Sequence, residues 1–260
     1  MGGLGWIFVA LGCGAAVAGA AEVTPLPPPV GTGIERGVVA VRCRSPVDGY
    51  VSDARAAILD VGTPTADVLL TTAHALLPDA AETRRRCYLI VNGDEQTIAE
   101  VWNAGGNLSG PEQDWAVMLT RRISGDVSRW HAANVTGEWL ANAAADRVPV
   151  RLVLRYAGVL QTDCHLEPRT QNPALLLAHS CQTYEGLSGS PLVVAVEGEP
   201  APILIGVHVG VLAWLARPRI QFVHVARAVD PDVVAAIRAA TERAALPVAL
   251  PPQGRRVAAR

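Results

Sequence analysis

Residues 184–191 read Tyr-Glu-Gly-Leu-Ser-Gly-Ser-Pro, and the five that follow, Leu-Val-Val-Ala-Val, are apolar. A serine between two glycines belongs to more than one architecture. In a nucleophile elbow, G-x-S-x-G turns a strand sharply into a helix and lifts the serine above an α/β sheet. Here Ser190 fills the slot of the second glycine, and Pro191 leads into a β-branched run and not a helix. The elbow reading therefore fails. Two readings are left: a tight turn, which Gly, Ser and Pro form readily, or a loop between strands that presents Ser188 as a nucleophile. The second requires a base and an orienting carboxylate elsewhere in the chain.

Outward from this stretch the chain is a succession of short β-like runs. GVVAVRC, RAAILDVG, DVLLTTA, CYLIVNG, QTIAEVW and WAVML come first; VPVRLVLRYAG, VLQTDCHL, ALLLAHSC, SPLVVAV, ILIGVHV and IQFVHVA follow residue 145. Val, Ile and Leu enrichment between Asn-Gly, Asp-Gly and Gly-Pro boundaries predicts strands. Their even spacing, with no intervening helices, predicts antiparallel sandwiches or barrels and not βαβ units. One segment, DPDVVAAIRAATERAA, breaks the rhythm. Asp230 caps it, Pro231 takes the first helical position, and Val233, Val234, Ile237 and Ala240 form one apolar stripe, which predicts a C-terminal helix.

The 260 residues, half of them apolar, suffice for one large domain or two small barrels sharing an interface. A net charge of −2 leaves no basic stripe for nucleic acid. All 22 basic side chains are Arg, a bias that GC-rich bacterial genomes favour, and the Arg84-Arg85-Arg86 run reads as a solvated loop. Residues 1–20 are apolar and small and end in Ala18-Gly19-Ala20, which predicts a cleaved export signal despite the missing basic n-region. The competing readings are an uncleaved anchor, for which the segment is barely long enough, and a lipoprotein box at Ala10-Leu11-Gly12-Cys13. Residues 21–35 read as a Pro-rich arm and 246–260 as a tail. Cleavage would leave the protein secreted or periplasmic, without stable membrane association.

Removing Cys13 with the signal leaves Cys43, Cys87, Cys164 and Cys181. In an oxidising compartment an even number predicts two disulfides. Cys43–Cys87 and Cys164–Cys181 are the favoured pairs, since each then sits within one half of the chain. The shorter loop would contribute about 3 kcal/mol in the chain-entropy model. Cys164-His165 and His179-x-Cys181 raise a zinc alternative, but they lack the C-x₂-C or H-x₃-H spacing that zinc sites use.

Of six histidines, His131 lies in a polar stretch, and His165, His179 and His224 lie in strand-like runs that suit structural roles. His74 differs: it follows the apolar run Asp67-Val-Leu-Leu-Thr-Thr-Ala, so a rigid strand end would hold it at the edge of a cleft. Asp114 opens the run Trp-Ala-Val-Met-Leu, a position that can bury and fix a carboxylate. Asp60, Asp67 and Asp94 sit in turn-like or polar settings and read as solvated.

Thr-Thr-Ala-His74, Asp114-Trp-Ala-Val and Gly186-Leu-Ser-Gly-Ser-Pro191 together resemble the trypsin-like (chymotrypsin-fold) serine peptidases, over about residues 36–245. The order His, Asp, Ser is the one that family uses. The approach His179-Ser-Cys-Gln-Thr-Tyr-Glu-Gly is similar to the bacterial branch that includes the glutamyl endopeptidases. The resemblance implies an all-β fold of two antiparallel six-stranded barrels, at about 36–125 and 145–228, with the C-terminal helix at 230–245 and the active site in the cleft. It implies His74 as base, Asp114 as its orienting carboxylate, Ser188 as nucleophile, and the N–H groups of Gly186 and Ser188 as oxyanion hole. Polypeptide is the implied substrate, with no metal or cofactor.

Gln182 stands where an Asp would select Arg or Lys, so trypsin-type preference is not expected. Thr183 and His208 fall where glutamyl endopeptidases bind an acidic side chain; His208 as a pocket-wall residue with another role is the competing reading. Leu187 replaces the Asp that, in animal relatives, pairs with a newly freed N-terminus, so activation by that route is not expected. The remaining alternative is a retired peptidase fold serving as a binding or scaffold protein.

Overall fold

The computed structural model describes residues 33–77, 79–103, 110–156, 159–168, 175–216 and 219–246. The expected export signal, most of the Pro-rich arm and all but the first residue of the expected tail lie outside the described residues. Six strands come first: β1 (Val38–Arg44), β2 (Val51–Leu59), β3 (Ala66–Thr71), β4 (Cys87–Val91), β5 (Asp94–Trp102) and β6 (Ala116–Arg121). They close into an antiparallel barrel in the order β1-β2-β3-β6-β5-β4. The β4–β5 turn is Asn92-Gly93, with φ of 52° and 90°, the pairing of positive dihedrals that a two-residue hairpin demands.

Six more follow: β7 (Pro149–Tyr156), β8 (Val159–His165), β9 (Leu176–His179), β10 (Pro191–Val194), β11 (Ile203–Ala216) and β12 (Arg219–Ala228). Their order is β8-β7-β10-β11-β12-β9. This second unit is a curled sheet and not a fully laddered barrel: an isolated antiparallel bridge from Leu166 to His179 joins its two ends. The expected C-terminal helix is present as α3 (Pro231–Ala245), preceding Leu246; the Asp230 side chain caps it by accepting from Val233 N–H. Two short helices were not expected, α1 (Ala80–Arg86) and α2 (Gly137–Ala145), capped by Asp79 and Thr136. The Arg84-Arg85-Arg86 run is thus the last turn of α1, where cations meet the helix's free carbonyls, and not a loop.

Period-2 alternation explains why β3 and β6 are buried on both faces. Leu69 and Met118 point into the first barrel with Val41, Ile58 and Leu89. Val68, Leu70, Val117 and Leu119 point outward, into a second core shared with Val193, Leu204 and Val207 of the second sheet and Val233 and Ala240 of α3. That shared core docks the two halves. The connector reinforces it: Trp130 exchanges backbone hydrogen bonds with Ile58 and Asp60, and Ala133 and Val135 donate to Leu204 and Val229.

Both expected disulfides are present, Cys43–Cys87 and Cys164–Cys181. The first joins residues directly opposed in the β1–β4 ladder. The zinc alternative involves Cys164, His179 and Cys181, whose ligand atoms lie within 4.8 Å of one another, but the two sulfurs are bonded to each other. Asp67 corrects an expectation. Its side chain is fully buried, accepting from Ile123 N at 2.7 Å, Arg129 Nε at 2.9 Å and Arg122 Nη1 at 3.0 Å. Among the described residues no helix is long and apolar enough to cross a membrane.

Candidate active site

His74 sits on the single 3₁₀ turn Ala73–Ala75 that ends β3, and Asp114 ends another, Pro111–Gln113, just before β6. Adjacent pairing of β3 and β6 brings these two strand ends together although forty residues separate them. Asp114 Oδ2 lies 2.6 Å from His74 Nδ1, and its Oδ1 accepts from the His74 backbone N–H at 2.9 Å. This two-point grip fixes both the ring and the tautomer, leaving Nε2 to face outward. Nε2 lies 2.8 Å from Ser188 Oγ, which comes from the loop before β10. Asp114 is buried, its side chain 6% exposed, while the His74 side chain at 36% opens to solvent.

The Ser188 loop is clamped against the first barrel. Arg55 N–H on β2 donates to the Ser188 carbonyl at 2.7 Å, and Gly189 N–H donates to His208 O at 2.7 Å. Gly189 is required here: its φ is +83°, and a Cβ at this position would lie 1.9 Å from the Arg55 carbonyl oxygen. Gly186 has φ +84°, a conformation that side chains disfavour. Among the described residues, neither the Gly186 nor the Ser188 N–H meets an acceptor. The loop thus carries two backbone donors without an acceptor, one on Ser188 itself and one two residues before it. Leu187 between them is completely buried in the core of the second sheet.

Gln182 is exposed and Thr183 half-buried on the same approach. Thr183 Oγ1 lies 2.7 Å from Nδ1 of His224, on β12. His208 is buried on β11, its Nδ1 3.3 Å from His179 Nε2. The three rings of His179, His208 and His224 form one cluster with centroid separations of 5.3, 6.0 and 6.5 Å. Burial, then the neighbouring His224, pushes the His208 pKa down to about 3. Burial, then His208 and His224, holds His179 well below the usual histidine range. Both are neutral at ordinary pH.

Sequence reasoning passed over His179 and His224 as structural strand residues. The alternation of β12 carried the missing signal, since Val223 and Val225 are buried and His224 lies on the opposite face. It also missed Asn103, whose Nδ2 donates to the carbonyls of Gln113 and Trp115 at 3.2 and 2.6 Å, one on each side of Asp114.

No protein-family model matches the chain, and no curated protein does. Solved structures do. The protease Anisep from Arthrobacter nicotinovorans superposes with a TM-score of 0.54 at 8% identity, over 80% of this chain and 96% of that one. The thermostable serine protease AL20 from an extremophilic microorganism gives 0.53 at 11% identity, over 80% and 98%. With its closed six-stranded barrel, curled six-stranded sheet and C-terminal helix, the chain has the two-barrel, chymotrypsin-like fold of serine proteases.

Proposed function

We propose that the protein is an exported serine endopeptidase working through an acyl-enzyme. The observation that carries this reading is the continuous chain from Asp114 Oδ2 through His74 to Ser188 Oγ, with links of 2.6 and 2.8 Å. A serine hydroxyl is a weak nucleophile at neutral pH unless a positioned base takes its proton. His74 Nε2 takes that proton as Ser188 Oγ attacks the scissile carbonyl. Asp114 stabilises the imidazolium, and the N–H groups of Gly186 and Ser188 receive the oxyanion. Each such donor is worth about 3–4 kcal/mol of transition-state stabilisation. His74 then protonates the leaving amine, and water repeats the sequence to release the acid. Two disulfides suit an oxidising compartment.

Within this reading, Glu or Asp is the side chain preferred at the cleaved bond. Thr183 and His208 supply the donors, and His224 Nδ1, 2.7 Å from the Thr183 hydroxyl, orients that hydroxyl.

Labelling by a serine-directed fluorophosphonate tests the assignment: the intact protein should be labelled and Ser188→Ala should not. Labelling that survives in Ser188→Ala removes Ser188 from the role, and an unlabelled wild-type protein favours the retired scaffold. Peptides differing only at the cleaved residue test specificity, and equal cleavage after Glu and Ala refutes the acidic preference.

A further inference from the structure

The turn that carries Asp114 is held from both halves of the molecule. Asn103, at the end of the first-barrel strand β5, grips the flanking carbonyls of Gln113 and Trp115. From the second sheet, Arg227 near the end of β12 reaches across the interface, its Nε donating to the carbonyl of Glu112, two residues before Asp114. The same guanidinium donates Nη1 to the Ala228 carbonyl at 2.6 Å and Nη2 to Asp230 Oδ2 at 3.0 Å. Asp230 uses its other oxygen to cap α3, accepting from Val233 N–H at 3.1 Å. Arg227 and Asp230 are both almost wholly buried.

A buried ion pair is a poor way to add stability, because desolvating two charges offsets most of their attraction. Its advantage is geometric: a guanidinium offers donors in a rigid planar fork, and here three of them are committed to acceptors in fixed directions. One acceptor is in the opposite barrel and in the three-residue 3₁₀ turn whose end sets Asp114 at φ −85° and ψ 67°. Displacing the Glu112 carbonyl would swing the carboxylate that meets His74 at two points.

We propose that Arg227 is a positioning residue for the Asp114–His74 pair, fixing the Asp114 turn from the second sheet so that the pair is correctly set only when the two halves are docked. The inference rests on the reading of His74, Asp114 and Ser188 as catalytic, but its geometric content can be measured without turnover.

The test compares wild type with Arg227→Lys, Arg227→Met and the double variant Arg227→Met/Asp230→Asn. The double variant leaves no buried carboxylate unpaired and retains a capping oxygen, so it provides a folded protein if the single variant does not. Two readouts are taken: kcat and KM per fluorophosphonate-titrated site, and the downfield proton resonance of the short His74 Nδ1–Asp114 hydrogen bond. In the double variant kcat per titrated site should fall on the order of 100-fold, as expected for a displacement near 1 Å, with KM changed less than about 3-fold. The downfield resonance should move upfield or be lost, and Arg227→Lys should restore part of both signals. A purely structural Arg227 would lower the melting temperature and the titratable fraction alone. An unshifted resonance with unchanged kcat per site overturns the proposal. If the wild type is neither labelled nor active, the function reading fails, and the resonance alone decides the positioning role.

Discussion

Acidification should destabilise this fold, and His208 determines a measurable share of the loss. The ring is 3% exposed, packed between His179 of β9 and His224 of β12, and its pKa is lowered to about 3. In the unfolded chain a histidine titrates near 6.5. Below that value the unfolded state binds a proton that the folded state refuses, so stability falls as pH drops from about 6.5 towards 3. At pH 4.5 the difference for one such ring amounts to about 3 kcal/mol relative to pH 8. Net stabilities of single domains are about 5–15 kcal/mol, so this is a large fraction. Burial is nearly complete, so solvent screening does not reduce the effect as it would for a surface group.

Urea unfolding at pH 8, 6, 5 and 4.5, for wild type and His208→Leu, isolates the contribution. Carboxylates also titrate across this range, but they do so in both proteins and cancel in the difference. The constant offset from repacking Leu cancels in the same way. The gap between the two proteins should therefore change by about 3 kcal/mol from pH 8 to 4.5, in favour of the variant. His179 titrates with the cluster in the same direction, so the variant keeps a residual acid sensitivity. Parallel curves, with the gap constant to within about 0.5 kcal/mol, would refute the reasoning, because His208 would then protonate as freely in the fold as out of it.

Gly189→Ala should abolish the site while leaving most of the fold intact. A Cβ 1.9 Å from the Arg55 carbonyl forces the Ser188 loop off β2, and fluorophosphonate labelling should slow on the order of 100-fold or more; a normal labelling rate would mean the clamp is dispensable. Asp67→Asn should cost about 3 kcal/mol or more in urea unfolding, because it weakens a fully buried acceptor of two guanidiniums. A loss below about 1 kcal/mol would show that Arg122 and Arg129 find other partners.

The strands were legible because each declares itself locally. Val-rich runs of period 2 sit between turn residues, and Asn92-Gly93 even specifies its turn type. The candidate site was legible for a related reason: His74, Asp114 and Ser188, which the fold brings together, all lie in the short segments where an apolar strand begins or ends. What the sequence concealed are partnerships between distant residues. Asp67 looks like a turn carboxylate until Arg122 and Arg129 arrive from 55 and 62 residues away. His224 looks like strand filling until Thr183, 41 residues earlier, comes within hydrogen-bond reach. β11 runs past the expected end at Val209 because Gly210 lies at a register shift within the ladder, and the strand continues to Ala216. The helices α1 and α2 span seven and nine residues, too short to show a periodic stripe, and only their caps announce them.

Leu187 shows how a departure from a pattern can carry structural information. A charged residue there needs a cationic partner before the loop can order, since an unpaired buried carboxylate is strongly disfavoured. Leu187 is instead fully buried beside Cys181 and Leu192 in the core of the second sheet, a gain of about 2 kcal/mol that is complete as soon as the sheet folds. Its backbone closes the turn from both sides, with N–H to Tyr184 O at 3.3 Å and carbonyl accepting from Ser190 N–H at 3.0 Å. Gly186 and Gly189, at φ +84° and +83°, supply the reversals that side chains would resist. The conformation of the turn from Gly186 to Ser190 is thus held by apolar burial, two backbone hydrogen bonds and two glycines.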